Sequence, residues 1–127
     1  MPEITAETLE NFLKQNTLNY LPTHHKLSLP IINRIYKKMR SGIKFEIIKV
    51  HENLIIDGHH RYISSELAKI ELNKTSYPKT AATIAYLWDE VQFVNEEWDT
   101  KHKIQYLNQL DAEYNDLPLE KIIEISQ

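Results

Sequence analysis

The sequence predicts a mixed α/β (α+β) domain, with a few helices packed on a small mixed sheet. Three observations predict it. Apolar residues recur at helical spacing in five stretches, and two short runs rich in β-branched residues flank a turn. Only two glycines, Gly42 and Gly58, occur, so each marks a backbone position with a special requirement. The length of 127 residues fits one domain, 1–127, and leaves no room for two independent cores. Hydrophobic residues make up 42%, enough for the chain to fold by itself rather than remain disordered.

Thr5 is placed to cap a first helix carrying Leu9, Phe12 and Leu13. Residues 16–27 read as loop, with Pro22 and the His24-His25 pair. Ser28 caps a second helix with Pro30 in its first turn. Its apolar face is Ile31, Ile32, Ile35, Tyr36 and Met39, and Gly42 stops it. Residues 45–50 read as a strand, 51–53 as a turn and 54–56 as a second strand, together a hairpin. Asp57-Gly58 breaks that strand, and a helix follows from about His60 to about Glu71, with Ile63, Leu67 and Ile70 as its buried stripe. Residues 73–80 read as loop, 81–88 fit helix or strand, and 91–94 fit a short strand. Asp99 or Thr100 caps a helix with Ile104, Leu107 and Leu110. Asp116-Leu117-Pro118 opens a last helix with Leu119, Ile122 and Ile123.

Composition narrows the function. The chain has no cysteine, which excludes disulfides, thiolate nucleophiles and cysteine metal sites. That suits a reducing cytoplasm. The start, residues 1–5, is acidic and polar, unlike a basic and then apolar secretion signal, so a cytoplasmic location is expected. The longest apolar stretches are too short to span a bilayer, so no membrane role is expected. Net charge is −3, unevenly spread: residues 1–70 carry ten Lys/Arg and seven Asp/Glu, residues 71–127 five and eleven. This lacks the basic excess needed to grip duplex DNA. The mildly basic half suits a nucleotide or a single-stranded nucleic acid, and the acidic half a basic protein partner. Most of these charges read as solvated helix surface.

The informative arrangement is strand, Asp57-Gly58-His59-His60-Arg61, helix. A helix start presents unpaired N–H groups and the positive end of the dipole. Glycine before it lets the backbone approach an anion, and Arg61 can grip phosphate with two parallel hydrogen bonds. His59 and His60 are the candidate catalytic residues, since imidazoles donate to anions and move protons near neutral pH. Asp57, Gly58, Arg61 and Ser64, one turn on, are the candidate phosphate or nucleotide contacts. His24, His25 and Tyr62 are candidates for the pocket rim. No metal site is expected, because no helical His-x-x-x-His pair accompanies these histidines. Trp98-Asp99-Thr100 reads as a helix start with a staple and a cap.

Residues 55–62, Ile-Ile-Asp-Gly-His-His-Arg-Tyr, resemble the strand–Gly-x-x-Arg–helix signature of the ParB/sulfiredoxin-like superfamily. The likeness covers a core of about 28–72, with a helical acidic extension over about 99–127. ParB partition proteins bind CTP through Gly-Glu-Arg-Arg, of which Gly58 and Arg61 match. Sulfiredoxins carry Gly-Cys-His-Arg, and here His59 replaces the nucleophilic cysteine, which excludes that chemistry in its usual form. The version found here is similar to that of free-serine kinases, which also need a catalytic glutamate, for which Glu46 is a weak candidate. The resemblance implies a nucleotide (CTP, ATP or ADP), with Mg²⁺ if a triphosphate is bound. It also implies phosphoryl chemistry: nucleotide hydrolysis, phosphoryl transfer, or phosphodiester cleavage by a small toxin-like nuclease. The alternative is a non-catalytic nucleotide-binding module that switches a partner through its acidic half. Residues 73–127 are too short and too acidic to hold the DNA reader and dimerisation region of a complete partition protein.

Overall fold

The computed structural model describes residues 3–127; Met1 and Pro2, part of the polar start weighed above, lie outside them. The order is α1 (Ala6–Gln15), β1 (Lys26–Ser28), α2 (Leu29–Arg40), β2 (Ile48–His51), β3 (Leu54–Asp57), α3 (His59–Ala68), β4 (Lys74–Ser76), β5 (Gln92–Val94), α4 (Lys101–Asn115) and α5 (Leu119–Ser126). The described residues form a mixed α/β fold with five α-helices and two small sheets.

Local chemistry explains several boundaries. Thr5 and Ser28 cap α1 and α2, their hydroxyls accepting from the N–H of Thr8 and Ile31. Pro30 sits in the first turn of α2, where its missing N–H costs nothing. At the other end Gly42 takes φ +89°, so the chain turns away while its N–H bonds the Met39 carbonyl. The β2–β3 hairpin turns through Glu52 at φ +52°.

Other elements depend on distant partners. The first sheet runs β3-β2-β4, with β2–β3 antiparallel and β2–β4 parallel. β4 falls in the stretch expected to be loop, because Lys74-Thr75-Ser76 lacks apolar alternation and becomes a strand only beside β2. β1, also inside an expected loop, pairs in parallel with β5 from Lys26↔Gln92 to Ser28↔Val94. The expected strand over 45–50 begins only at Ile48. The Glu46 and Ile47 carbonyls meet no strand and accept long contacts from Arg61 instead.

α3 ends earlier than expected, at Ala68, with Lys69 in the left-handed region. Ile70 is therefore 39% exposed rather than buried. The buried face of α3 is Tyr62, Ile63, Ser64, Ser65 and Ala68. Its small serines let α3 lie close to α2, where Ser64 Oγ donates to the Ile32 carbonyl at 3.2 Å. One core joins α1, α2, α3 and both sheets around Leu9, Leu27, Ile32, Ile48, Ile55 and Ile63. A smaller cluster, Ile43, Ala112 and Ile122, seats the α4–α5 pair. No helix among the described residues is long and apolar enough to cross a membrane.

Candidate anion site at the start of the third helix

β3 delivers the chain to Gly58, which adopts φ +98° as the N-cap of α3. A Cβ there would stand 2.6 Å from Ile48 Cγ2 and 3.0 Å from an Arg61 guanidinium nitrogen, so a side chain is excluded by strain and by space. No side chain caps this helix. Asp57 lies instead 3.7 Å from Arg61 Nη2 as a weak ion pair. The main-chain N–H groups of His59, His60 and Arg61 find no acceptor among the described residues. Unpaired donors at the positive end of a helix can bind an anion.

The turn opens on a cleft of about 820 Å³. Asp57, Gly58, His59, His60 and Arg61 line it, as do His24 and His25 from the segment before β1. Six Lys/Arg and four Asp/Glu line the cleft, so it is net positive in a chain that is net negative. Lys26 and Lys44 are among the six and make no ion pair among the described residues. Arg34 is engaged by Glu97 and Asp99, and Lys103 by Asp99. The guanidinium of Arg34 holds the Glu97 carboxyl below its ordinary range.

Both histidines are anchored. The Thr23 N–H donates to His59 Nε2 at 2.9 Å, and the Ser28 N–H to His60 Nε2 at 3.0 Å. A main-chain N–H can only donate, so each Nε2 is an acceptor and each ring proton sits on Nδ1. Neither Nδ1 has a partner among the described residues, and no buried side-chain polar atom among them lacks one. Both Nδ1–H groups are therefore open to solvent. Burial, then the neighbouring His24 and His60, lowers the pKa of His59 to about 3. Burial also lowers that of His60 to about 4, opposed by Asp99 and aided by His24 and Arg34.

This geometry weighs against proton transfer through Nε2 of either imidazole. An imidazole that is neutral near pH 7 is a poor general acid. One whose bare nitrogen is tied to a main-chain N–H has no lone pair left to act as base. In this arrangement His59 and His60 are Nδ1–H donors and latches that hold residues 23–28 over the start of α3.

Two further expectations are corrected. Ser64 is fully buried against α2 and does not face the cleft. Tyr62 is no rim residue: it is 2% exposed, stacks on Trp88, and meets Tyr20 edge-on. Burial and then Glu66 push its hydroxyl pKa up. The motif places α3's first turn correctly, but helical spacing could not tell which side of the helix the sheet covers.

Sequence reasoning missed the opposite wall. Trp98 meets the His60 ring edge-on at 5.5 Å, and Ile104, Leu107, Asn108 and Asp111 of α4 line the cleft. Their helical spacing was legible, but nothing local said that α4 returns to face α3. Glu46 lies on the cleft wall beside Arg61. No group of three or more His, Asp or Glu is arranged to hold a metal ion among the described residues. No protein-family model, curated protein or solved structure matches the chain.

Proposed function

We propose that this chain is a phosphate-binding domain that holds a nucleotide at the start of α3 and positions it for phosphoryl chemistry. The observation that carries the reading is the uncapped helix start at Gly58. Its unpaired N–H groups, the two Nδ1–H donors and Arg61 surround one side of an open, net-positive cleft. Donors fixed before the ligand arrives stabilise charge on phosphoryl oxygens without reorganising. The long contacts of Arg61 to two carbonyls and Asp57 leave part of its donor fork unused. The resemblance of residues 55–62 to ParB/sulfiredoxin-like domains supports the same reading.

With both imidazoles tied through Nε2, the base for an acceptor hydroxyl or water is a carboxylate; Glu46 and Asp57 are both exposed on the cleft near Arg61, and Asp57 is paired with it, which leaves Glu46 as the candidate. Any Mg²⁺ would arrive with the phosphates it neutralises. A non-catalytic nucleotide-binding module is the second reading, favoured by the same locking of the histidines.

The test is thermal unfolding with CTP, ATP or ADP, with and without Mg²⁺. A nucleotide should raise the melting temperature, and Arg61→Ala should weaken its binding about ten- to a hundredfold. An unchanged shift in Arg61→Ala would place the ligand elsewhere. Release of phosphate, or cleavage of single-stranded nucleic acid, that is lost in Glu46→Gln with binding intact would establish catalysis. Binding without turnover would establish the module.

A further inference from the structure

The start of α3 is only part of the cleft's lining, and the volume of about 820 Å³ is that of a site for a drug-sized molecule rather than for a phosphate alone. The rest runs between α2 and α4. Its walls are Ile31 and Ile35 from α2, Phe45 from the approach to β2, and Ile104, Leu107 and Leu110 from α4. Leu110 is 40% exposed, and Tyr114, one turn further on, is 56% exposed. Polar groups at the foot of this limb are already engaged. The buried Lys38 ammonium donates to Asn108 Oδ1 and to Asp111 Oδ2, each at 2.7 Å. That clamp ties α4 to α2 and cancels the charge of Asp111.

We propose that the limb between α2 and α4 is a subsite for an apolar group carried by the ligand whose phosphate binds at α3. The inference rests on the phosphate-binding part of the reading above and puts another ligand class in place of the nucleotide: a phosphate or diphosphate head joined to a hydrocarbon-rich body. Continuity makes the two parts one site, since Arg61, Leu107 and Leu110 line the same cleft. Walls of aliphatic side chains reward burial of carbon and leave a body rich in polar edges with unpaired groups. α4 lies outside the stretch that resembles other Gly-x-x-Arg domains, so this wall is the chain's own device for choosing a ligand.

The experiment is calorimetric titration of the full chain with three probes: inorganic pyrophosphate, ATP and geranyl diphosphate. Geranyl diphosphate should bind at least about tenfold more tightly than pyrophosphate. The double variant Leu107→Asn/Leu110→Asn should lose that gain while its affinity for pyrophosphate stays the same. Leu110→Asn alone changes an exposed side chain, and serves if the double variant melts early. Equal affinity for geranyl diphosphate and pyrophosphate would overturn the proposal, as would a gain that survives in the variants. Tighter binding of ATP than of geranyl diphosphate, unaffected by the Leu110 change, would also overturn it. If Arg61→Ala leaves geranyl diphosphate binding unchanged while the leucine variants abolish it, the limb is an apolar site without a head group, and the shared-ligand inference fails. If pyrophosphate binding does not depend on Arg61, the phosphate-binding reading itself fails, which is a separate outcome.

Discussion

The starts of α3 and α4 face the same cleft and are built in opposite ways. At α4 the Thr100 hydroxyl accepts from the Lys103 N–H at 3.1 Å, and Asp99 pairs with Lys103, so one start-of-helix donor is capped and a carboxylate faces the dipole. At α3 the N-cap is a left-handed glycine, no side chain reaches back, and Asp57 turns to Arg61. One helix start has a side-chain cap and the other has none. Side chains cap α1, α2 and α4, while α3 and α5 have no side-chain cap; of those two, α3 starts beside two imidazoles and an arginine, which is the arrangement the proposed anion site rests on.

The harshest way to break this contrast is Gly58→Ala. A methyl group at φ +98° against Ile48 should cost roughly 2–4 kcal/mol by urea unfolding and abolish nucleotide-induced stabilisation. A midpoint equal to that of the wild type would show that the turn does not need its glycine.

Acid should open the same end of the cleft. Both histidines have folded pKa values depressed below 6.5, to about 3 and about 4, so below pH 6.5 the unfolded chain binds more protons than the folded one. Their contribution is complete above pH 6.5. It declines as pH falls toward 4 and 3, by up to about 1.4 kcal/mol per pH unit for each. His59→Gln should flatten the stability–pH curve over that window. A curve as steep as that of the wild type would mean that other groups carry the acid sensitivity.

Smaller effects sharpen the comparison. Thr100→Ala removes a cap and should cost about 1 kcal/mol while leaving ligand affinity alone. Ser64→Ala removes one buried hydrogen bond and should cost about 0.5–1 kcal/mol, again without touching affinity. Loss of nucleotide affinity in Ser64→Ala would return that residue to the site.

Much of the α3 end was legible because its chemistry is local. Asp57 to Arg61 are consecutive, and helix geometry gathers their N–H groups and side chains. The opposite wall was not legible. Trp98 and Leu107 come near His60 and Ile31 only because β1 pairs with β5 and α4 folds back, and pairing between distant strands leaves no short-range trace in composition or periodicity.

By itself, the order of residues determined where α1 and α2 start, through Thr5 and Ser28, where α2 stops, at Gly42, that α4 starts after Asp99 or Thr100, and that a turn at Gly58 would precede a helix. These are contests among neighbours a few bonds apart. Only tertiary packing decided that His59 and His60 spend their Nε2 atoms on Thr23 and Ser28, that Ser64 is buried, and that Lys74–Ser76 is a strand. Each of those outcomes depends on which groups from far along the chain arrive to meet a donor, an acceptor or an apolar face, and on the water they displace.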